Sequence, residues 1–192
     1  MEGKIIVISA PSGCGKSTII NAIMERGNVD FRFSVSATSR KPREGEVDGV
    51  NYYFLTEEEF RQHIVAGDFV EYEEVYPGRF YGTLRSEVER TCREGHNVVL
   101  DIDVKGGVNV MRMFGSQATS IFIMPPSIDE LRRRLEHRAT DAPEVIAERV
   151  NKAEYEISFA PQYRHTVIND NLQEAVEQTE RIIMEFLKDN RR

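Results

Sequence analysis

"SAPSGCGKST", residues 9–18, decides how the chain is read. It follows the apolar run Ile5-Ile6-Val7-Ile8 and matches the phosphate-binding pattern Gly-x-x-x-x-Gly-Lys-Ser/Thr at every fixed position but the first. Gly15-Lys16-Ser17 is in place, and Ala10 stands where the first glycine belongs. Such a loop needs a strand before it and a helix after it. Ile5 to Ser9 supplies the strand, and helical sequence runs from near Lys16 to about Gly27. Gly13 and Gly15 open backbone conformations closed to bulkier residues and turn N–H groups toward an anion. The helix N-terminus adds its dipole. On this reading Ala10, Pro11, Ser12, Gly13, Cys14, Gly15, Lys16, Ser17 and Thr18 cradle the phosphates of a nucleotide. Lys16 reaches the β- and γ-phosphates and Ser17 ligates Mg²⁺. Ala10 adds one methyl group, tolerable where φ stays negative. Cys14 reads as a small loop residue.

Outward from the loop, apolar runs recur at Val98–Ile102 and Ile121–Met124, with a weaker one at Thr166–Ile168. Helical stretches separate them. This alternation implies a parallel sheet flanked by helices, an α/β fold. The last helix begins near Asn171, and its Leu172, Ala175, Val176, Ile182, Ile183, Phe186 and Leu187 fall on one apolar face. Asp101 ends the second main strand, where a carboxylate helps to hold Mg²⁺.

The 192 residues suffice for one such domain with insertions. A formal net charge of -7 argues against a nucleic-acid partner, because phosphate backbones select basic surfaces. Two cysteines without metal spacing fit a reducing cytoplasm. The opening MEGKIIVIS is too short an apolar run for a leader or a membrane span. His63, His96, His137 and His165 are scattered and read as surface residues.

Two segments interrupt the rhythm. Residues 35–84 carry five of the seven tyrosines and the Arg40-Lys41-Pro42-Arg43 cluster, and read as an inserted β-rich module with one helix from near Glu57. Residues 126–160 form a helical lid. Ser127 to Glu130 is a capping-box start, and Pro143 marks a second helix. The core is then 1–34, 85–125 and 161–192.

The loop alone does not choose among ATPases, GTPases, helicases and small-molecule kinases. Three stretches do. In "SVSATSRKPREGEVDGVNYYF", residues 34–54, Arg40, Arg43 and Tyr52 suit a phosphate monoester, since arginine forks match its oxygens. In "FVEYEEVYPGRFYGT", residues 69–83, Glu71 sits among Phe69, Val70 and Tyr72 and needs donors. Guanine N1–H and N2–H₂ are such a pair; adenine lacks it. In "VVLDIDVKG", Asp103 follows Asp101 at period-two spacing on one face.

With "RLEHRATDAPEVIAERV", residues 134–150, these segments resemble the guanylate kinase family along essentially the whole chain. That family accepts Gly or Ala where Ala10 stands. The resemblance implies a P-loop kinase with an inserted GMP-binding module and a lid, catalysing ATP + GMP to ADP + GDP with Mg²⁺. It implies that Ser36, Glu71, Thr83 and Asp103 read the guanine, Thr83 giving its hydroxyl to O6. It implies that Arg40, Arg43, Tyr52 and Tyr81 hold the GMP phosphate, and that Lys16, Arg134, Arg138 and Arg149 stabilise the transferring phosphoryl group. Ser17 and Asp101 would hold the metal, and Asn169 would lie near the donor adenine. The expected partners are ATP and GMP, with no nucleic acid and no membrane, in a cytoplasmic monomer or homodimer. Two alternatives stand beside this reading: a kinase for another phosphorylated sugar or nucleotide, and a non-catalytic module of the same fold. Intact Lys16 and Ser17 weigh against the second.

Overall fold

Ile5 to Ser9 form β1, five residues all buried. This is a computed structural model, and it describes residues 3–137 and 142–189. Helix α1, Lys16–Arg26, starts after Gly15 and stops at Gly27, whose φ of 66° ends the helical turn. There follow β2 (Arg32–Phe33), β3 (Ala37–Thr38), β4 (Tyr53–Phe54), α2 (Glu57–Ala66), β5 (Phe69–Tyr76), β6 (Arg79–Leu84) and α3 (Arg85–Arg93). Then come β7 (Val98–Asp101), α4 (Val104–Phe114), β8 (Ala118–Met124), α5 (Ile128–His137), α6 (Pro143–Ile157), β9 (His165–Ile168) and α7 (Leu172–Lys188). The strands make a five-stranded sheet in the order β2-β7-β1-β8-β9 and a four-stranded sheet in the order β4-β3-β6-β5. β2 runs parallel to β7 and β8 parallel to β9.

The chain divides into two compact units, Met1–Ile5 with Phe31–Leu100, and Ile6–Asp30 with Asp101–Arg192. The first contains the four-stranded sheet. Its apolar centre is Ala37, Phe60, Phe69 and Phe80, with Phe60 stacked on Phe69 at 4.3 Å and on Phe80 at 5.2 Å. Phe60 comes from α2, begun by a capping box between Thr56 and Glu59. The acidic Glu57-Glu58-Glu59 run lies in its first turn, where the helix dipole favours it.

In the second unit α7 packs on α1, and Arg26 and Asn28 donate to the buried Glu180 carboxylate at 2.7 and 3.0 Å. Its buried face is Ala175, Val176, Thr179, Glu180 and Ile183. Leu172, expected on that face, is 44% exposed. It lies in the first turn, directly after the Asn171 cap, and the buried stripe begins one turn later. Helix α5 starts as expected, with Ser127 Oγ accepting from the Glu130 N–H at 3.1 Å. The Glu130 carboxylate turns instead to Arg133 and Arg134. Helix α6 has Pro143 at its N-terminus and spans 15 residues. His137 and His165 are exposed, but His63 and His96 are half-buried, contrary to a surface reading for all four. His63 lies 2.8 Å from the Asp68 carboxylate.

Candidate active site

The phosphate loop takes the conformations its glycines permit. Gly13 has φ 94° and Gly15 φ 82°. A Cβ at Gly15 would stand 2.6 Å from Asn169 Nδ2, so glycine is required for space as well as for the backbone. That amide donates to the Cys14 carbonyl at 2.8 Å, and Asn169 is buried. The residue expected beside the adenine therefore holds the loop backbone. Arg134 donates through Nη1 to the Asn169 carbonyl at 2.8 Å and through Nε to Glu130 at 2.8 Å. Gly13, Gly15, Thr18, Arg134, Asn169 and Leu172 are among the residues lining a cleft of about 350 Å³ beside the loop.

Lys16 forms an ion pair with Asp101, the residue ending β7. Ser17 and Thr18 are exposed in the first turn of α1, Ser12 is exposed, Ala10 half-buried and Pro11 buried. The Cys14 thiol is buried, and burial pushes its pKa up to about 12, in keeping with a packing role in the loop. Arg149 is half-buried on α6, and Arg138 lies outside the described residues. Asp103 does not continue a strand face with Asp101. β7 ends at Asp101, and Asp103 caps α4, accepting from the Gly106 N–H at 2.7 Å. Between the strand end and the helix cap, the Ile102 carbonyl accepts from Ser9 Oγ at 2.8 Å.

Sequence reasoning missed Glu156, near the end of α6. Its side chain is 12% exposed, with Lys152 Nζ 3.9 Å from one oxygen, while Oε2 is buried without a hydrogen-bond partner. Burial raises its pKa, while Lys152, Lys16 and the Ser12 N–H act the other way. No spacing in the sequence signals this placement.

The first unit gathers a different chemistry. Arg40 Nη1 and Nη2 each reach the Glu46 carboxylate at 2.6 Å, and Glu46 also accepts from the Arg43 N–H at 2.7 Å. The Arg40 guanidinium lies over the Tyr52 ring, 5.0 Å from its centroid, and Tyr52 meets Tyr81 edge-on at 5.9 Å. Arg43 is exposed. Tyr53 points the other way, its hydroxyl donating to Glu87 at 2.8 Å, as alternation between Tyr52 and Tyr53 predicts. Ser36 is half-buried, its carbonyl accepting from the Tyr53 N–H. Glu71 on β5 stands opposite Thr83 on β6, and the Thr83 hydroxyl donates to Glu71 Oε1 at 2.7 Å. The Thr83 hydroxyl, expected to donate to a base, has Glu71 as its partner here. Glu46 is the partner that the sequence reading overlooked, although it lies three residues after Arg43 in the same loop.

A parallel α/β sheet with helices and an intact Lys16-Ser17 phosphate loop defines a P-loop kinase fold. The guanylate kinase family model matches residues 2–186. A guanylate kinase of Bacteroides fragilis is 54% identical over 186 residues, covering 97% of this chain and 91% of the relative. One of Salinibacter ruber is 52% identical, covering 97% and 98%. The crystal structure of guanylate kinase from Anaplasma phagocytophilum superposes with a TM-score of 0.70 at 33% identity, covering 98% of this chain and 88% of that one. The chain belongs to the guanylate kinase family, and guanylate kinase activity, the ATP-dependent phosphorylation of GMP, goes with that membership.

Proposed function

We propose that the chain phosphorylates GMP, and dGMP with it, by direct in-line transfer from Mg²⁺-bound ATP. The observation that carries the acceptor assignment is the Glu71–Thr83 pair. A carboxylate accepts at several positions, so Glu71 suits the adjacent N1–H and N2–H₂ donors of guanine, with Thr83 beside it. Adenine would turn a lone pair toward the same carboxylate. When guanine enters, Thr83 is free to rotate its hydroxyl toward O6. Ser36 and Asp103 complete the guanine readers in this reading.

The GMP phosphate is assigned to Arg40, Arg43, Tyr52 and Tyr81, and the ATP phosphates to residues 10–18. The working division is a core (1–34, 85–125, 161–192), an acceptor module (35–84) and a lid (126–160). Phosphoryl transfer requires placement and charge neutralisation, with no protein nucleophile. No general base is needed, because a GMP phosphate oxygen is already ionised. Lys16, Arg134, Arg138 and Arg149 take up charge on the transferring group. The hydroxyl of Ser17 and the carboxylate of Asp101 are the oxygen donors a hard cation prefers, and they would hold Mg²⁺. When bound, Mg²⁺ neutralises charge on the triphosphate. Lys16 and Asp101, which meet each other in the structure, then turn to phosphate and cation. The module and lid keep water from the γ-phosphate. The setting is cytoplasmic, the partners are ATP and GMP rather than nucleic acid or membrane, and the chain acts as a monomer or homodimer.

A coupled assay of ADP formation tests the proposal, with GMP, dGMP and AMP as acceptors, with Mg²⁺ and with excess EDTA. Turnover with GMP and dGMP, little with AMP, and loss in EDTA are expected. Equal turnover with AMP would overturn the acceptor assignment, and full turnover in EDTA the metal assignment.

A further inference from the structure

Arginine offers five N–H donors in a rigid plane. At Arg40 three go to the Lys41 carbonyl and the Glu46 carboxylate. Nη1 donates to the Lys41 carbonyl at 3.0 Å and to Glu46 at 2.6 Å, and Nη2 gives one hydrogen to Glu46 at 2.6 Å. The other two donors are Nε–H and the second Nη2 hydrogen. These point along one edge of the guanidinium, the parallel pair that engages two oxygens of a phosphate. The Tyr81 hydroxyl interacts with the same guanidinium. The Tyr52 ring lies across the guanidinium plane, with Phe54 5.5 Å away. The Arg40 side chain is only 8% exposed and that of Glu46 19%, so the fork is fixed by packing as well as by charge. Glu46 is itself fixed, since the Arg43 N–H donates to the same oxygen that Arg40 Nη1 reaches. Arg40 and the Arg43 N–H hold its pKa near the foot of the carboxylate range, at about 2, so the fork stays ionised at neutral pH.

We propose that Glu46 is a positioning residue for the acceptor phosphate. With the Lys41 carbonyl it occupies the Nη1 side of Arg40 and so assigns the Nε/Nη2 edge to the phosphate monoester. It also offsets one of the two arginine charges, so that a phosphate that must act as a nucleophile is oriented by two guanidiniums but meets less than their full charge. The inference rests on the assignment of Arg40 to the GMP phosphate and goes beyond it, because Glu46 need not touch the ligand.

The test is a kinetic double-mutant cycle of E46Q and R40A, with KM for GMP, KM for ATP and kcat measured for all four proteins. E46Q keeps the shape but breaks the charged fork. It is expected to raise KM for GMP on the order of tenfold, with kcat within about threefold and KM for ATP unchanged. In the R40A background the E46Q effect is expected to vanish, because the residue acts through Arg40. A merely structural role for Glu46 in its loop would raise KM for GMP by the same factor in both backgrounds, and that outcome overturns the proposal. So does an unchanged KM in E46Q. If E46Q does not yield folded protein by circular dichroism, E46D serves in its place. It keeps the charge one methylene short, and a smaller KM rise that also vanishes with R40A is expected. R40A that leaves KM for GMP at the wild-type value overturns the Arg40 assignment itself. R40A that raises KM while E46Q does not overturns only the role of Glu46.

Discussion

Replacing Asn169 by Asp changes one amide nitrogen to oxygen at the back of the phosphate loop. Asn169 is 5% exposed, and its Nδ2 donates to the Cys14 carbonyl at 2.8 Å. The substitution removes that hydrogen bond, worth about 1 kcal/mol net, and sets two acceptors against each other. A buried acceptor left without a donor costs about 1–3 kcal/mol more, and a charged one exceeds that. The sum is about 2–4 kcal/mol, divided between global stability and the shape of the loop. If all of it fell on ATP recognition, kcat/KM for ATP would drop by roughly 30-fold to several hundred-fold. Asn169→Ala removes the donor without adding a like charge and is expected to fall between wild type and Asn169→Asp. The assay is kcat/KM for ATP at saturating GMP, with Tm measured on the same preparations. Asn169→Asp with wild-type ATP kinetics and an unchanged Tm would refute the claim that this side chain shapes the loop.

Lys16→Met is expected to fold and to lose activity on the order of 10³-fold, since Lys16 is the cation of the loop. Near-normal GDP formation by the folded variant would contradict its role. Glu156→Gln is expected to stabilise the protein at neutral and alkaline pH. Burial raises the Glu156 pKa, so the folded state binds this proton more tightly than the unfolded chain. Its contribution is therefore present in acid and lost as pH rises through the raised pKa. Thermal melts should show a higher Tm for Glu156→Gln at about pH 8, with the gain shrinking as pH falls; a lower Tm at about pH 8 would reverse the sign of the argument.

Much of this architecture is legible in the sequence where one physical rule acts alone. The strand at residues 5–9 and the helix bounded by Gly15 and Gly27 follow from hydrophobic patterning and glycine conformation. The alternate duties of Tyr52 and Tyr53 follow from strand pleating. What the sequence hides are partnerships made by folding. Nothing in the spacing of Asn169 and Cys14 announces that one amide supports the other's carbonyl across 155 positions. Asp101 and Asp103 look equivalent by alternation, yet the strand ends between them, so one pairs with Lys16 and the other caps a helix. Leu172 fits the helical period and is still exposed, because periodicity does not say where along a helix the packing begins.

The central claim is that Glu71 reads guanine. Its carboxylate is half-buried and holds the Thr83 hydroxyl at 2.7 Å. Glu71→Gln keeps the shape, removes the charge and replaces one acceptor with a donor that adenine N1 can accept. Sites that read a base by such polar pairing discriminate by roughly 10⁴-fold. The deciding measurement is the ratio of kcat/KM for GMP to that for AMP, in wild type and in Glu71→Gln, with KM for ATP as the control. The ratio is expected to collapse through a large loss with GMP, while KM for ATP stays nearly unchanged. An unchanged ratio in a folded Glu71→Gln protein would mean that Glu71 serves only the sheet and that the base is read elsewhere.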